Sequence, residues 1–225
     1  MPSVHAVLRH LEGHQFPGAP RAIGIDEDGR QILTELAGQT VGERRPWPKW
    51  AHDEDTLDDV ADWLRSFHEA MADYQPPAEA IWRMGGRWMP GMIIGHNDAA
   101  PYNAVWQGRL VGFIDWDFAG PVTREWDLAW SAFSWTPLHS HAVVAEEGFN
   151  DFEGRPRRLR RLLSRYGWAG MAPQFISTVQ DMALANAQGI RRLAGDGDPL
   201  FVKMLQAGVA ENLEVAAAEL DGLVF

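Results

Sequence analysis

Apolar residues at Val4, Val7, Leu8 and Leu11 recur with helical spacing, and Gly13 follows as a stop, which predicts a short first helix. Ala22-Ile23-Gly24-Ile25 and the run Gln31–Leu36 then flank Asp26-Glu27-Asp28-Gly29, the signature of a β-hairpin with glycine placed for the turn. Residues 38–50 carry Gly38, Gly42, Pro46 and Pro48 and read as a linker. Beyond it the period becomes helical. Leu57, Val60, Leu64, Phe67, Met71 and Tyr74 form one stripe, closed by Pro76-Pro77. A second helix is expected over Thr123–Trp135, with Trp126, Ala129, Trp130 and Phe133 on a face that reads as core. Two more patterns, near 173–194 and 199–220, are separated by the turn Gly195-Asp196-Gly197-Asp198-Pro199. The pattern is a small β-containing start followed by a mainly helical body.

Two charged runs sit on these helices. Asp53-Glu54-Asp55 precedes the Leu57 stripe, where carboxylates favour the positive end of a helix. Arg155, Arg157, Arg158, Arg160, Arg161 and Arg165 alternate with Leu159, Leu162, Leu163 and Tyr166, the pattern of an amphipathic helix with a solvated basic face. The 225 residues suffice for one sizeable core. The chain has no cysteine, which removes disulfides and thiolate sites from consideration. No apolar run reaches the roughly 20 residues of a membrane span, and the N-terminus has no signal-peptide pattern, so a soluble cytoplasmic protein is expected. A formal net charge of −11 argues against nonspecific nucleic-acid binding. It would suit a cationic small substrate, although acidic surfaces mostly serve solubility.

The chemistry is concentrated in His96-Asn97-Asp98-Ala99-Ala100-Pro101-Tyr102-Asn103 and in Ile114-Asp115-Trp116-Asp117. Phosphoryl transfer needs a carboxylate to orient and deprotonate a hydroxyl, and hard oxygen ligands for Mg²⁺. His96, Asp98 and Asn103 match the kinase spacing H-x-D-x-x-x-x-N, with Asp98 as candidate base and Asn103 as candidate metal ligand. Ala104-Val105-Trp106 and Leu110–Ile114 flank Gln107-Gly108-Arg109 as a second hairpin, which would bring Asn103 and Asp115 together on one metal.

His96–Asn103, Ile114–Pro121 and Glu125-Trp126-Asp127-Leu128-Ala129 together resemble the aminoglycoside phosphotransferase (choline-kinase-like) family. The resemblance is motif-grade over about residues 92–130 and looser elsewhere. It implies an α+β, protein-kinase-like fold and transfer of the ATP γ-phosphate to a hydroxyl of a small molecule. By resemblance, Asp98 is the catalytic base, His96 braces its loop, and Asn103 and Asp115 hold Mg²⁺. Asp117 and Asp127 tie the metal loop to the following helix. Glu35, Leu36 and Ala37 form the hinge that meets adenine, with Ile114 beneath it. Glu146, Glu147 and Asp151 are candidates for contacting a cationic acceptor. The implied organisation is a truncated N-terminal lobe (1–37), a hinge (38–50) and a mainly helical catalytic lobe (51–225).

One departure from the family pattern concerns the phosphates. No G-x-G-x-x-G or Walker A loop occurs, and the two lysines, Lys49 and Lys203, are not placed like the phosphate-binding lysine. By comparison with the family the first three strands are lacking, leaving the hairpin edge unpaired, a liability that a second copy of the chain could cover. Three expectations follow. The chain is an active phosphotransferase in which Arg9, Arg21 or a partner's residue replaces the lysine; or it is an impaired relative that binds a nucleotide or small ligand; or residues upstream complete it.

Overall fold

The computed structural model describes residues 2–42 and 44–223. Helix α1 (Pro2–Gly13) buries Val4, Val7, Leu8 and Leu11, the predicted stripe, and is followed by the hairpin of β1 (Ala22–Ile25) and β2 (Gln31–Leu33). Asp26 closes that turn by accepting the backbone N–H groups of Asp28 and Arg30. Strand β2 stops at Leu33, three residues before the expected Leu36. Glu35 and Ala37 are exposed and Leu36 is half-buried.

The segment 38–50 lies against the larger body. Gln39 exchanges two 2.9 Å backbone hydrogen bonds with Trp106. Trp50 stacks on the Trp106 ring at 5.6 Å, and the Trp47 amide donates to the Glu147 carbonyl at 2.8 Å. Buried tryptophans at 47 and 50 make this stretch part of the core, a role that its glycines and prolines did not announce.

The body begins with α2 (Glu54–Ala70), whose Leu57, Val60, Leu64 and Phe67 are fully buried. The helix ends at Met71, so Tyr74 falls in the following turn, its ring against His10. Two short antiparallel pairs carry the chemistry. Strand β3 (Ile93–Gly95) pairs with β6 (Gly120–Val122), and β4 (Ala104–Trp106) pairs with β5 (Leu110–Phe113). The second pair is the predicted hairpin. The first joins segments about 27 residues apart and has no local turn signal. Helices α3 (Arg124–Trp135), α4 (His141–Glu146), α5 (Arg155–Tyr166) and α6 (Ala172–Gly195) follow. The expected helix over 199–220 is two helices, α7 (Pro199–Gln206) and α8 (Val209–Glu219), because Gly208 takes φ +72° between them. Helix α6 packs on α3 and carries α7 and α8.

The two charged runs meet. Along α2, Glu54, Asp58 and Asp62 pair with Arg157, Arg161 and Arg165 of α5, the pairs advancing in the same direction on both helices. The basic face is therefore not a free solvated surface, as the sequence suggested; it is cross-neutralised by the neighbouring acidic face. Each partly exposed pair contributes at most about 1 kcal/mol, so the apolar contacts between α2 and α5 do most of the holding. Arg158 is buried and donates to the carbonyls of His52 and Trp135.

The centre is aromatic. Trp63 packs on Phe113 and Phe67 at 4.6 and 5.0 Å between centroids, and its Nε1–H donates to the Gly18 carbonyl at 3.0 Å. Beside it, the Phe113 amide donates to the same carbonyl at 3.2 Å, which is possible because Gly112 has no side chain. A Cβ on Gly112 would lie 2.2 Å from that oxygen. Gly112→Ala is therefore expected to destabilise by about 1–3 kcal/mol, lowering Tm by about 2–4 °C per kcal/mol. Gly24→Ala, where a Cβ meets nothing within 4 Å, should stay near the parent Tm; equal melting of the two variants by circular dichroism would contradict this packing.

Candidate active site

Strand β3 runs into the loop that carries His96, Asn97 and Asp98, and the loop is held by Asp127 of α3. The Asp127 carboxylate accepts the Asn97 amide at 2.6 Å, the His96 amide at 3.3 Å and His68 Nε2 at 2.9 Å, with Asp127, His96 and His68 fully buried and Asn97 partly so. His68 in turn meets the Tyr166 hydroxyl at 2.7 Å through Nδ1. Burial alone would raise the Asp127 carboxyl, but His68 and the amides outweigh it and hold it below the usual carboxylate range. The tie expected between Asp127 and the metal loop is made by another residue. Asn97, at φ +60°, donates Nδ2 to the carbonyls of Phe118 and Gly120 at 3.1 and 3.4 Å.

Asp98 is buried, and both of its carboxylate oxygens accept hydrogen bonds. Its Oδ1 accepts the Tyr102 hydroxyl at 2.6 Å and the Trp130 indole N–H at 3.1 Å, while Oδ2 accepts Asn103 Nδ2 at 2.8 Å. Burial and the nearby Asp115 charge push its carboxyl up to about 7 against those three donors. Neither Tyr102 nor Trp130 was foreseen as a functional contact; Trp130 had read as core. Only the position of Tyr102, four residues after Asp98 within the motif, hinted at it. The His96 ring is buried beside Trp116, Trp63 and Phe113 with neither nitrogen hydrogen-bonded among the described residues, and burial lowers its imidazole to about 4.

The β4–β5 hairpin brings the two candidate ligands together. The Ile114 amide donates to the Asn103 carbonyl at 3.0 Å, so Asp115 emerges beside Asn103. Asp115 stands at φ +59°, a left-handed conformation that costs a non-glycine residue about 1 kcal/mol or more. Burial first, and then the neighbouring Asp117 charge, raises its carboxyl. Asp117 also accepts Gln31 Nε2 from β2 at 3.4 Å, a contact across the two parts of the chain. The donor set fits a divalent cation. Asn103 spends its amide nitrogen on Asp98, which leaves its amide oxygen as a hard donor, and the Asp115–Asp117 repulsion is what a cation would relieve.

The cations lie elsewhere than expected. Arg9 is exposed on α1 and Arg21 pairs with Glu12 at 3.7 Å. The positive charge felt at Asp115 is that of Arg83, which pairs with Asp198 at 3.2 Å and lies beside the Phe118 ring. Lys49 lines a separate groove that also contains Asp151, and Asp151 caps Gly154 and pairs with Arg157. Glu146 lines this groove as well as a cleft beside Asp98, whereas Asp151 lines the groove alone and Glu147 the cleft alone. Glu146 and Glu147 line that cleft, of about 780 Å³, with Asp98, Tyr102, Trp126 and Trp130. Arg45 reaches Glu146 at 3.1 Å and Glu147 at 3.8 Å. Glu147 is buried, its Oε2 has no partner, and burial pushes its carboxyl up to about 7.

The loop from His96 to Asn103 with kinase spacing, the Asp115 loop facing it and the adjoining cleft on a mainly helical body point to one class. The chain belongs to the phosphotransferase enzyme family, whose family model matches residues 86–162. It is 32% identical over 212 residues to the trifolitoxin immunity protein of Rhizobium leguminosarum bv. trifolii, a match spanning 88% of this chain and 79% of that protein. Among solved structures it is similar to the amicoumacin kinase hAmiN in complex with AMP-PNP, Ca²⁺ and Ami, with TM-score 0.62, 12% identity, and 95% and 76% of the two chains covered. It is also similar to the GDP complex of aminoglycoside 2'-phosphotransferase-IIIa, with TM-score 0.58, 14% identity, and 96% and 83% coverage. These similarities establish the kinase-like α+β fold. No helix among the described residues is long and apolar enough to cross a membrane.

Because Asp127 is held below the usual carboxylate range, the stability it contributes is present above its unfolded value, about 3.9, and is lost as pH falls through the depressed folded value. Asp127→Asn, which breaks a buried pair, is expected to cost about 3–5 kcal/mol at neutral pH. Its unfolding free energy should fall less steeply than the parent's below about pH 4. Parallel acid limbs in urea titrations of the two proteins would refute this role.

Proposed function

We propose that the chain is an ATP-dependent phosphotransferase that moves the γ-phosphate to a hydroxyl of a small molecule bound in the 780 Å³ cleft. The observation that carries this reading is the join at Asp98. One carboxylate opens onto the cleft while it is hydrogen-bonded to Asn103, which the hairpin sets beside Asp115. In this reading Asp98 orients the acceptor hydroxyl and takes its proton, through the lone pair of Oδ2 that Asn103 leaves. Tyr102 and Trp130 occupy Oδ1 and fix the carboxylate plane. Asn103 and Asp115 hold Mg²⁺, which supplies charge neutralisation at the phosphates. Glu35, Leu36, Ala37 and Ile114 form the adenine side, Arg83 contributes positive charge near Asp115, and Glu147 contacts the acceptor. Asp117 and Asp127 support the two loops, and His96 packs beneath Asp98.

A second reading is favoured by the similarity to an immunity protein: sequestration of a toxic small molecule without turnover. Calorimetry and ATP hydrolysis separate the two. Mg·ATP is expected to bind the parent and Asp98→Asn alike, and to lose its metal-dependent affinity in Asp115→Ala. Basal hydrolysis should fall by about 10³-fold or more in Asp98→Asn. Absence of Mg·ATP binding at millimolar concentration, or equal hydrolysis in the parent and Asp98→Asn, would sink the phosphotransferase reading and leave sequestration.

The β1–β2 hairpin exposes Ile23, Ile25 and Ile32 beside its open edge. This favours a homodimer paired there in the cytoplasm. Light scattering should give twice the 25.2 kDa chain mass, reduced to the chain mass by Ile23→Lys; a parent monomer at about 100 μM would rule the dimer out.

A further inference from the structure

The walls of the cleft away from Asp98 carry information about the acceptor that the net charge of the chain conceals. An excess of carboxylates on the whole chain suggests a cationic substrate, yet in the cleft that excess is confined to Asp98, Glu146 and Glu147, beside Arg45, and does not extend along the wall built by α6–α8. The far wall is built by α6, α7 and α8 and presents Ile190, Phe201, Met204 and Leu213, faced by Phe118 and Trp126. Its polar groups are the amides of Asn186 and Asn212, and no carboxylate from these three helices lines it. The acidic side chains at the near end, Glu146 and Glu147, already face Arg45. Glu146 lies at the mouth, 69% exposed, whereas Glu147 Oε2 is buried and lacks a partner.

We propose that the acceptor is a predominantly apolar, hydroxyl-bearing small molecule with at most one basic group, seated against the α6–α8 wall, and not a polycation. The inference rests on the phosphotransferase reading for the word acceptor, but its physical basis is separate. A volume of about 780 Å³ lies in the range of drug-sized ligand pockets, whose affinity comes mainly from burying apolar surface. A molecule with several ammonium groups would have to desolvate each of them against this wall, where no carboxylate compensates the loss of water. An apolar body meets the opposite situation: Phe118, Trp126 and Met204 are only partly buried and have apolar surface left to cover, and Met204 adapts to irregular shapes. One N–H or O–H of the ligand satisfies Glu147 Oε2, and the hydroxyl to be phosphorylated reaches Asp98 Oδ2.

Calorimetric titration of the full chain with propranolol, erythromycin and kanamycin tests this directly. The first two carry apolar bodies, at least one hydroxyl and one basic amine; the third is a hydroxyl-rich polycation without an apolar body. Propranolol and erythromycin are expected to bind about tenfold or more tightly than kanamycin. Met204→Glu, which sets a carboxylate on the wall, should weaken both by about tenfold and strengthen kanamycin. If that variant melts early, Asn212→Asp places the same charge with an unchanged shape and should strengthen kanamycin alone. Equal or tighter kanamycin binding by the parent overturns the proposal. So does failure of both apolar compounds at about 1 mM, or kanamycin binding unchanged in Asn212→Asp. Mg·ATP titrated into the same samples reports on the phosphotransferase reading by itself. Apolar binding without Mg·ATP binding would sink only that reading, and Mg·ATP binding without apolar binding would sink only this one.

Discussion

One buried carboxylate organises the molecule. Asp127 accepts two successive amides of the catalytic loop and the imidazole of His68, and thereby joins α3, the loop and α2 at a point that water does not reach. A charge in that position is costly unless each lone pair is used, and here it is used by groups whose positions matter for chemistry. The same constraint explains the glycine before the loop. A Cβ on Gly95 would lie 2.7 Å from the Asp127 carboxyl carbon, so β3 can run this close to α3 only without a side chain there. From this anchor the loop turns through Asn97 and delivers Asp98 to the cleft.

The legible part of the sequence was the part whose signals are local. The stripes Val4–Leu11 and Leu57–Met71, the hairpins at 22–33 and 104–113 and the run from His96 to Asp115 all state their geometry within a few residues. The illegible parts depend on distant partners. The β3–β6 pairing joins segments with no common turn. The acidic start of α2 read as a complement to the helix dipole and the arginines of α5 as a solvated face, because nothing in either stretch names the other. Gly208 sits in a run whose apolar spacing continues across it, so two helices looked like one. The segment 38–50 had the composition of a linker, but its tryptophans bury on the body.

The site shows the same division. That Asp98, Asn103 and Asp115 would lie together was legible from residue type, spacing and the hairpin between them. The residues that set their behaviour were not. Trp130 is one helical turn from Asp127 and looked like core, yet its indole nitrogen reaches Asp98. Arg83 lies in a stretch without helical or strand pattern and comes near Asp115 only through the packing of Phe118 and Phe201. Glu146, Glu147 and Asp151, alike in sequence, separate into a mouth residue, a buried acid and a helix cap.

The left-handed backbone at Asp115 has a consequence for how such a chain ages under mutation. Glycine adopts that conformation without penalty, and an Asp codon becomes a Gly codon by a single base change. That single change would thus relax the backbone and remove the crowding with Asp117, while deleting the carboxylate of the proposed Mg²⁺ site. Selection for stability alone would lead toward a sturdier and inert protein. Aspartate at this position therefore gives up backbone ease for a carboxylate set beside Asn103.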